Sequence, residues 1–386
     1  MKLIGLLGCL SLASWAVACR WDRDTLVNEA TKMPDVIETA VGRFPRNPSL
    51  FYQMRIQRAT AEIAKYPTKL DLYDDVAVAY DVLGNDDQAI SWIEKKHRQM
   101  GDLSRATFGK AELNPFSDAA YRYYANAGTF WIHRWIKNGA KEGELSQAEH
   151  ARSLIAAAIQ INPNAHFGRE VVQLAVIDWI IQVQSGDGTM SLGDYLYFVG
   201  RNAPGKRQDN LNKWVKGAVG LIVLGNAWES PDMFGALAKL VDEARYTGLS
   251  KIGIFVRQRQ LELFKQGHKP LWSAKGGDPD VSGHYGDGAR IKSEFLRLRE
   301  EADSWQKDRT DFMMARLKAG RHPDTDPHFW DGYVSKPAPQ IHYPFWETLQ
   351  PETILYAEVV TVLSSPFIVF FVIRRVKQRR KRLLNS

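Results

Sequence analysis

Residues 70–101, LDLYDDVAVAYDVLGNDDQAISWIEKKHRQMG, constrain the fold of this chain more than any other stretch. Tyr73, Val76, Ala77 and Tyr80 recur at the three- and four-residue spacing of one helix face. Gly84-Asn85 then interrupts the pattern, glycine being the residue that reaches a left-handed turn conformation at least cost. Ala89 and Ile93 begin a second apolar face, the alanine small enough for two helices to approach closely. Two such short amphipathic helices have little stability in isolation, so a hairpin of this kind needs further helices to cover it.

The order bulky–aliphatic–small–aromatic, the glycine turn and the small residue of the second helix together resemble one tetratricopeptide (TPR) helix–turn–helix over residues 70–103. A second unit, over 117–165, resembles it less closely. Tyr124, Ala127, Gly128 and Trp131 repeat the order, and Ala151, Ile155 and Ala158 supply the partner helix before Asn162-Pro163. It exceeds the 34-residue repeat by about eleven residues, which lengthen its helices or form a turn between Asn138 and Gly143. The resemblance implies an all-α fold of TPR-like hairpins stacked as an irregular solenoid. It further implies that first-helix residues Asp71, Asp74, Val78 and Asp81 face a partner protein or peptide, whose segment would carry lysine or arginine.

The remaining pattern is also helical. Tyr52, Ile56, Ala59, Ile63 and Tyr66 form one face, started at Asn47-Pro48-Ser49 and closed by Pro67. A short helix is expected around 26–39. Residues 170–184 are apolar nearly all round, as for a helix buried between neighbours. Ser191 with Asp194 and Ser230-Pro231-Asp232 read as helix starts. Further helices are expected around Trp214–Leu221 and over 250–266, and Ile291, Phe295, Leu298, Ala302 and Trp305 mark a long one.

The flanks predict a membrane protein. Residues 353–373, TILYAEVVTVLSSPFIVFFVI, match the length of a transmembrane helix at about 1.5 Å per residue. Seven basic residues follow in 374–386, beginning Arg374-Arg375, and they account for the whole formal charge of +7. The rest of the chain is neutral, which argues against nucleic acid as a partner. The positive-inside rule puts the tail in the cytoplasm and the body outside it. Glu358 lies near the outer end of the span, where its carboxylate either snorkels or finds a partner, and Pro366 should bend the helix. Residues 1–18 read as a signal peptide ending Ala16-Val17-Ala18, with lipidation of Cys19 as a competing reading. Cys19 is then the one remaining cysteine and there is no usable glycosylation sequon, which fits a bacterial exported protein. The expected layout is therefore an extracytoplasmic helical domain at 19–319, a proline- and aromatic-rich stalk at 320–352, a single span and a cytoplasmic tail.

Two loops carry ligand-type residues. Residues 276–288 are glycine-rich, but Asp278 opens a calcium-like pattern whose twelfth position is Ala289. In 322–328, His322, Asp324, Asp326 and His328 could serve zinc, although two prolines keep the backbone extended. Neither forms a convincing centre, so no catalytic residue, metal or cofactor is expected. A membrane-anchored interaction scaffold is the leading reading. An exported metal-dependent enzyme using these loops and a structural subunit of a membrane complex are the alternatives.

Overall fold

The computed structural model describes residues 20–24, 33–101, 115–163, 168–188, 190–225, 227–244, 251–271 and 288–338. All but Lys251 fall in one unit made of 1–244 and 252–340. The signal-peptide reading, Cys19, most of the glycine-rich loop, and Glu358, Pro366, Arg374 and Arg375 lie outside the described residues. Among the described residues no helix is long and apolar enough to cross a membrane.

The fold is all-helical, with twelve α-helices and no strand among the described residues. They are α1 (Val36–Val41), α2 (Ser49–Lys65), α3 (Asp71–Val82), α4 (Asp86–Met100), α5 (Pro115–Lys137) and α6 (Leu145–Ile161). There follow α7 (Arg169–Gln184), α8 (Leu192–Asn202), α9 (Arg207–Leu224), α10 (Pro231–Glu243), α11 (Ile252–Lys265) and α12 (Gly288–Lys318). Successive helices pack pairwise, most extensively α5 on α6, α10 on α11, and α3 on both α2 and α4.

The sequence explains the local geometry. Gly84, at φ +81°, turns α3 into α4, and Asn85 caps α4 through its side chain on the Gln88 amide. Ser191 and Ser230 accept from the amides of Asp194 and Met233, as their sequence contexts predict. Ala77, Val78, Ala89, Ile93, Ala127 and Phe130 share one core that joins α3, α4 and α5. Gly128 lets α6 approach: a Cβ there would stand 2.7 Å from Ile155. The extra residues of the second unit lengthen its helices, α5 to 23 residues and α6 to 17, and also form a turn with a 3-10 segment at Glu142–Glu144.

Two expectations are corrected. Of the expected helix at 26–39, residues 33–35 are not helical and a new helix starts at Val36 and runs to Val41, because Asp35 caps it in a reciprocal bond pair with Glu38; residues 26–32 lie outside the described residues. The first part of the expected stalk is not a stalk. Residues 320–338 fold back as turns, burying His322 and placing Phe329 in a core with Phe51, Met313 and Leu317. The 31-residue α12 carries them, and its own buried stripe continues past Trp305 through Arg309, Met313 and Leu317. It packs on α1, α2 and α11, so the late helix returns to the early ones.

Candidate functional site

Asp74, Val78 and Asp81 are four and three residues apart on α3 and therefore share a face. That face is closed. All three are buried, at 1%, 2% and 1% exposure, whereas Asp71 at the start of the same helix stays exposed and accepts from Arg122. Part of the cover is residues 20–24 of the same chain. The acidic face expected to receive a basic partner thus receives the chain's own Arg20, Trp21 and Arg23.

The contacts are specific. Asn126 of α5 grips the backbone of Trp21 on both sides, accepting from its N–H at 2.7 Å and donating to its carbonyl at 2.9 Å. The same amide nitrogen lies 3.1 Å from Asp74, whose other oxygen takes Lys96 at 2.6 Å. Arg20 Nε donates to Asp81 Oδ2 at 2.5 Å, and His133 Nδ1 meets Asp81 Oδ1 at 2.6 Å. Arg23 donates to Asp75 from its backbone N–H and from Nε, at 3.2 and 2.8 Å. The Trp21 indole packs edge-on against Tyr121 with centroids 5.7 Å apart, under the Arg169 guanidinium, and its N–H reaches Glu170 at 3.3 Å.

Charge compensation decides the protonation of these acids. Burial opposes the ionisation of Asp81, but the His133 and Arg20 contacts outweigh it and hold its carboxyl well below the usual range. His133 Nδ1 is then the donor, since an ionised carboxylate only accepts. Burial pushes Asp75 up against the opposing pull of Arg55 and Arg23.

A second buried cluster adjoins the first. Arg55 projects from α2, fully buried, and binds Asp22, Asp24 and Asp324 together. Arg58 also binds Asp324, at 2.5 Å. Burial opposes ionisation of Asp324, but hydrogen bonding and attraction to Arg55 bring its pKa down to about 2. His322 stacks on Phe51 at 4.6 Å between centroids and its Nε2 donates to the Phe51 carbonyl at 3.0 Å.

These contacts also bear on the zinc reading of 322–328. His322 is turned to Phe51, while His328 is exposed and pairs with Asp331, so the two imidazoles of 322–328 do not converge. Asp81, Asp86 and His133 do offer ligand atoms within 4.8 Å of one another. Their carboxylates are already held by protein cations, Asp81 by Arg20 and Asp86 by Lys137 at 2.8 Å. This is a neutralised ion network rather than an open ligand set.

Residue spacing misses the participants outside α3. Arg55 sits four residues from both Phe51 and Ala59, on what is otherwise an apolar face, and that position is the one sequence sign that it would be buried and paired. Asn126 and His133, seven residues apart on α5, give the same sign. Comparison with protein-family models, curated proteins and solved structures finds no match to this chain.

Proposed function

We propose that the chain is an interaction scaffold of TPR-like stacked hairpins, an irregular α-solenoid displayed outside the cytoplasm and tethered by residues 353–373. The observation that carries this reading is the seating of residues 20–24 between α3 and α5. This segment is held there through the Trp21 backbone by Asn126 and through its arginines by Asp75 and Asp81. By resemblance, TPR units hold peptides on a surface made of their first helices, and α3 and α5 are the first helices of the two units. The exposed part of that surface, at Asp71 beside Arg122, is where a basic partner segment would start.

The test is site-specific photocrosslinking of the full chain in native membranes, with the crosslinker at Asp71 or at Val334, which is 85% exposed on a different part of the unit. A discrete protein adduct at Asp71 that is absent at Val334 supports the scaffold. Absence of adducts at Asp71, or the same adducts at both positions, overturns it.

A further inference from the structure

A cavity of about 590 Å³ lies beside the Arg55 cluster. Most of its charged lining is already matched. Asp22, Asp24 and Asp324 share Arg55, Arg20 lies on Asp81, Arg23 lies on Asp75, and Glu229 has a partner of its own. Two lining guanidiniums remain. Arg46 Nη1 donates to the Gly42 carbonyl at 3.0 Å, and Arg309 donates to the Arg46 carbonyl at 3.2 Å and to Asn47 at 2.8 Å. Neither makes an ion pair among the described residues, and Arg309 meets the nearby Asp24 only through the Asn47 amide, 3.4 Å from that carboxylate.

We propose that Arg46 and Arg309 bind a small amphipathic anion in this cavity, a carboxylate or phosphate carried on an aromatic or short aliphatic body. Guanidinium suits such a head group because its planar N–H fork matches two oxygens at once. The apolar body has other side chains of the lining to meet, Val82, Val223, Leu224 and Trp330, while Arg46 itself rests over the Phe44 and Trp228 rings at 5.0 and 5.2 Å. The volume lies in the range of small-molecule sites, roughly 300–1,000 Å³.

The electrostatic setting of the two arginines bears on anion binding. Arg259 and Arg299 also lie over the Trp228 ring, at 3.7 and 5.3 Å, Arg259 paired with Glu262 and Arg299 with Glu262 and Asp303. Burial, then the neighbouring Arg299, brings the pKa of Arg46 down to about 10 against the pull of Asp303, with Arg259 and Arg309 acting in the lowering direction. Burial lowers Arg309 too, against the smaller pull of Tyr333, Tyr52 and Asp24. An anion between Arg46 and Arg309 would add to the compensation that Asp303 gives Arg46 and Asp24 gives Arg309. The inference stands independently of the scaffold reading.

Isothermal titration calorimetry on the full chain in detergent tests it with three probes: phenyl phosphate, inorganic phosphate and 2-phenylethylamine. Phenyl phosphate should bind saturably, inorganic phosphate more weakly and the amine not at all. Arg46→Gln and Arg309→Gln should each weaken phenyl phosphate by about tenfold or more. Val223→Phe narrows the cavity from a wall without guanidinium and should abolish binding, which keeps the test decisive if Arg309→Gln fails to fold. Absence of phenyl phosphate binding, equal binding of the amine or of inorganic phosphate, or unchanged binding in both Arg46→Gln and Val223→Phe overturns the proposal.

Discussion

Arg55 and Asp324, 269 residues apart, form a two-point ion pair, with Nε–Oδ2 at 2.9 Å and Nη2–Oδ1 at 2.7 Å. The guanidinium lies over the Phe51 ring at 4.4 Å, and Phe51 in turn stacks on His322. Because Asp22 and Asp24 use the same guanidinium, one buried cation fastens the early segment and the loop after α12 to α2.

Removing that cation should cost more than removing any one of its acids. Arg55→Met leaves Asp22, Asp24 and Asp324 together without their shared partner, and breaking a buried pair in this way costs about 3–5 kcal/mol. Asp324→Asn keeps the shape and leaves Arg55 with two carboxylates, so a smaller loss of about 1.5–3 kcal/mol is expected. Urea unfolding of both variants measures the difference. If Arg55→Met is no worse than Asp324→Asn, the two flanking segments are held by something else.

The same pair sets a pH dependence. The folded pKa of Asp324, about 2, lies below its ordinary value of 3.8. Between these values the unfolded chain binds more protons than the folded one. The contribution of Asp324, about 2 kcal/mol, is therefore complete above pH 4 and is lost as pH falls through 2. Urea midpoints followed from pH 5 to pH 2.5 should fall less steeply in Asp324→Asn than in the wild type. Parallel curves would show that Arg55 does not hold this carboxyl ionised.

Helix existence was legible because it rests on local periodicity: α2 starts after Pro48, α3 stops before Gly84, α4 stops before Gly101 and α10 starts at Ser230-Pro231. The acidic α3 face was legible too, since Asp74, Val78 and Asp81 fall on one side of a helix. What covers it was not. The pairing of Arg20 with Asp81 and of Trp21 with Asn126 spans 61 and 105 residues, and no local rule links such positions. The stalk reading failed for a related reason. Residues 320–338 are rich in turn formers, yet Asp324 and Phe329 find partners on α2 that composition cannot reveal.

Gly42 should tolerate alanine less well than another left-handed glycine. Gly42 and Gly186 have φ of +78° and +81°, so a side chain at either meets a backbone strain of about 1–2 kcal/mol. Only at Gly42 does the added Cβ also collide, at 2.6 Å from the Trp228 ring. That indole lies under Arg46, Arg259 and Arg299, which resist its displacement, so about 1–3 kcal/mol of overpacking should be added. Urea unfolding of Gly42→Ala and Gly186→Ala separates the two effects. Equal losses would mean that Trp228 moves aside freely.

Asn126 should matter through the backbone it holds rather than through its own packing. Asn126→Leu keeps the approximate volume but deprives the Trp21 N–H and carbonyl of their partner and takes one donor from Asp74. Each buried polar group left unsatisfied costs about 1–3 kcal/mol. Trp21→Ala removes an indole only 1% exposed and should cost about 3–5 kcal/mol, in the range for large aromatic deletions. Amide hydrogen exchange distinguishes a seated segment from a loose one. In the wild type the Trp21 amide should exchange as slowly as the central amides of α3, and Asn126→Leu should speed it selectively while amides of α9 keep their protection. Fast exchange at Trp21 in the wild type would mean that residues 20–24 leave the α3–α5 face readily, and that its acids are open to a partner after all.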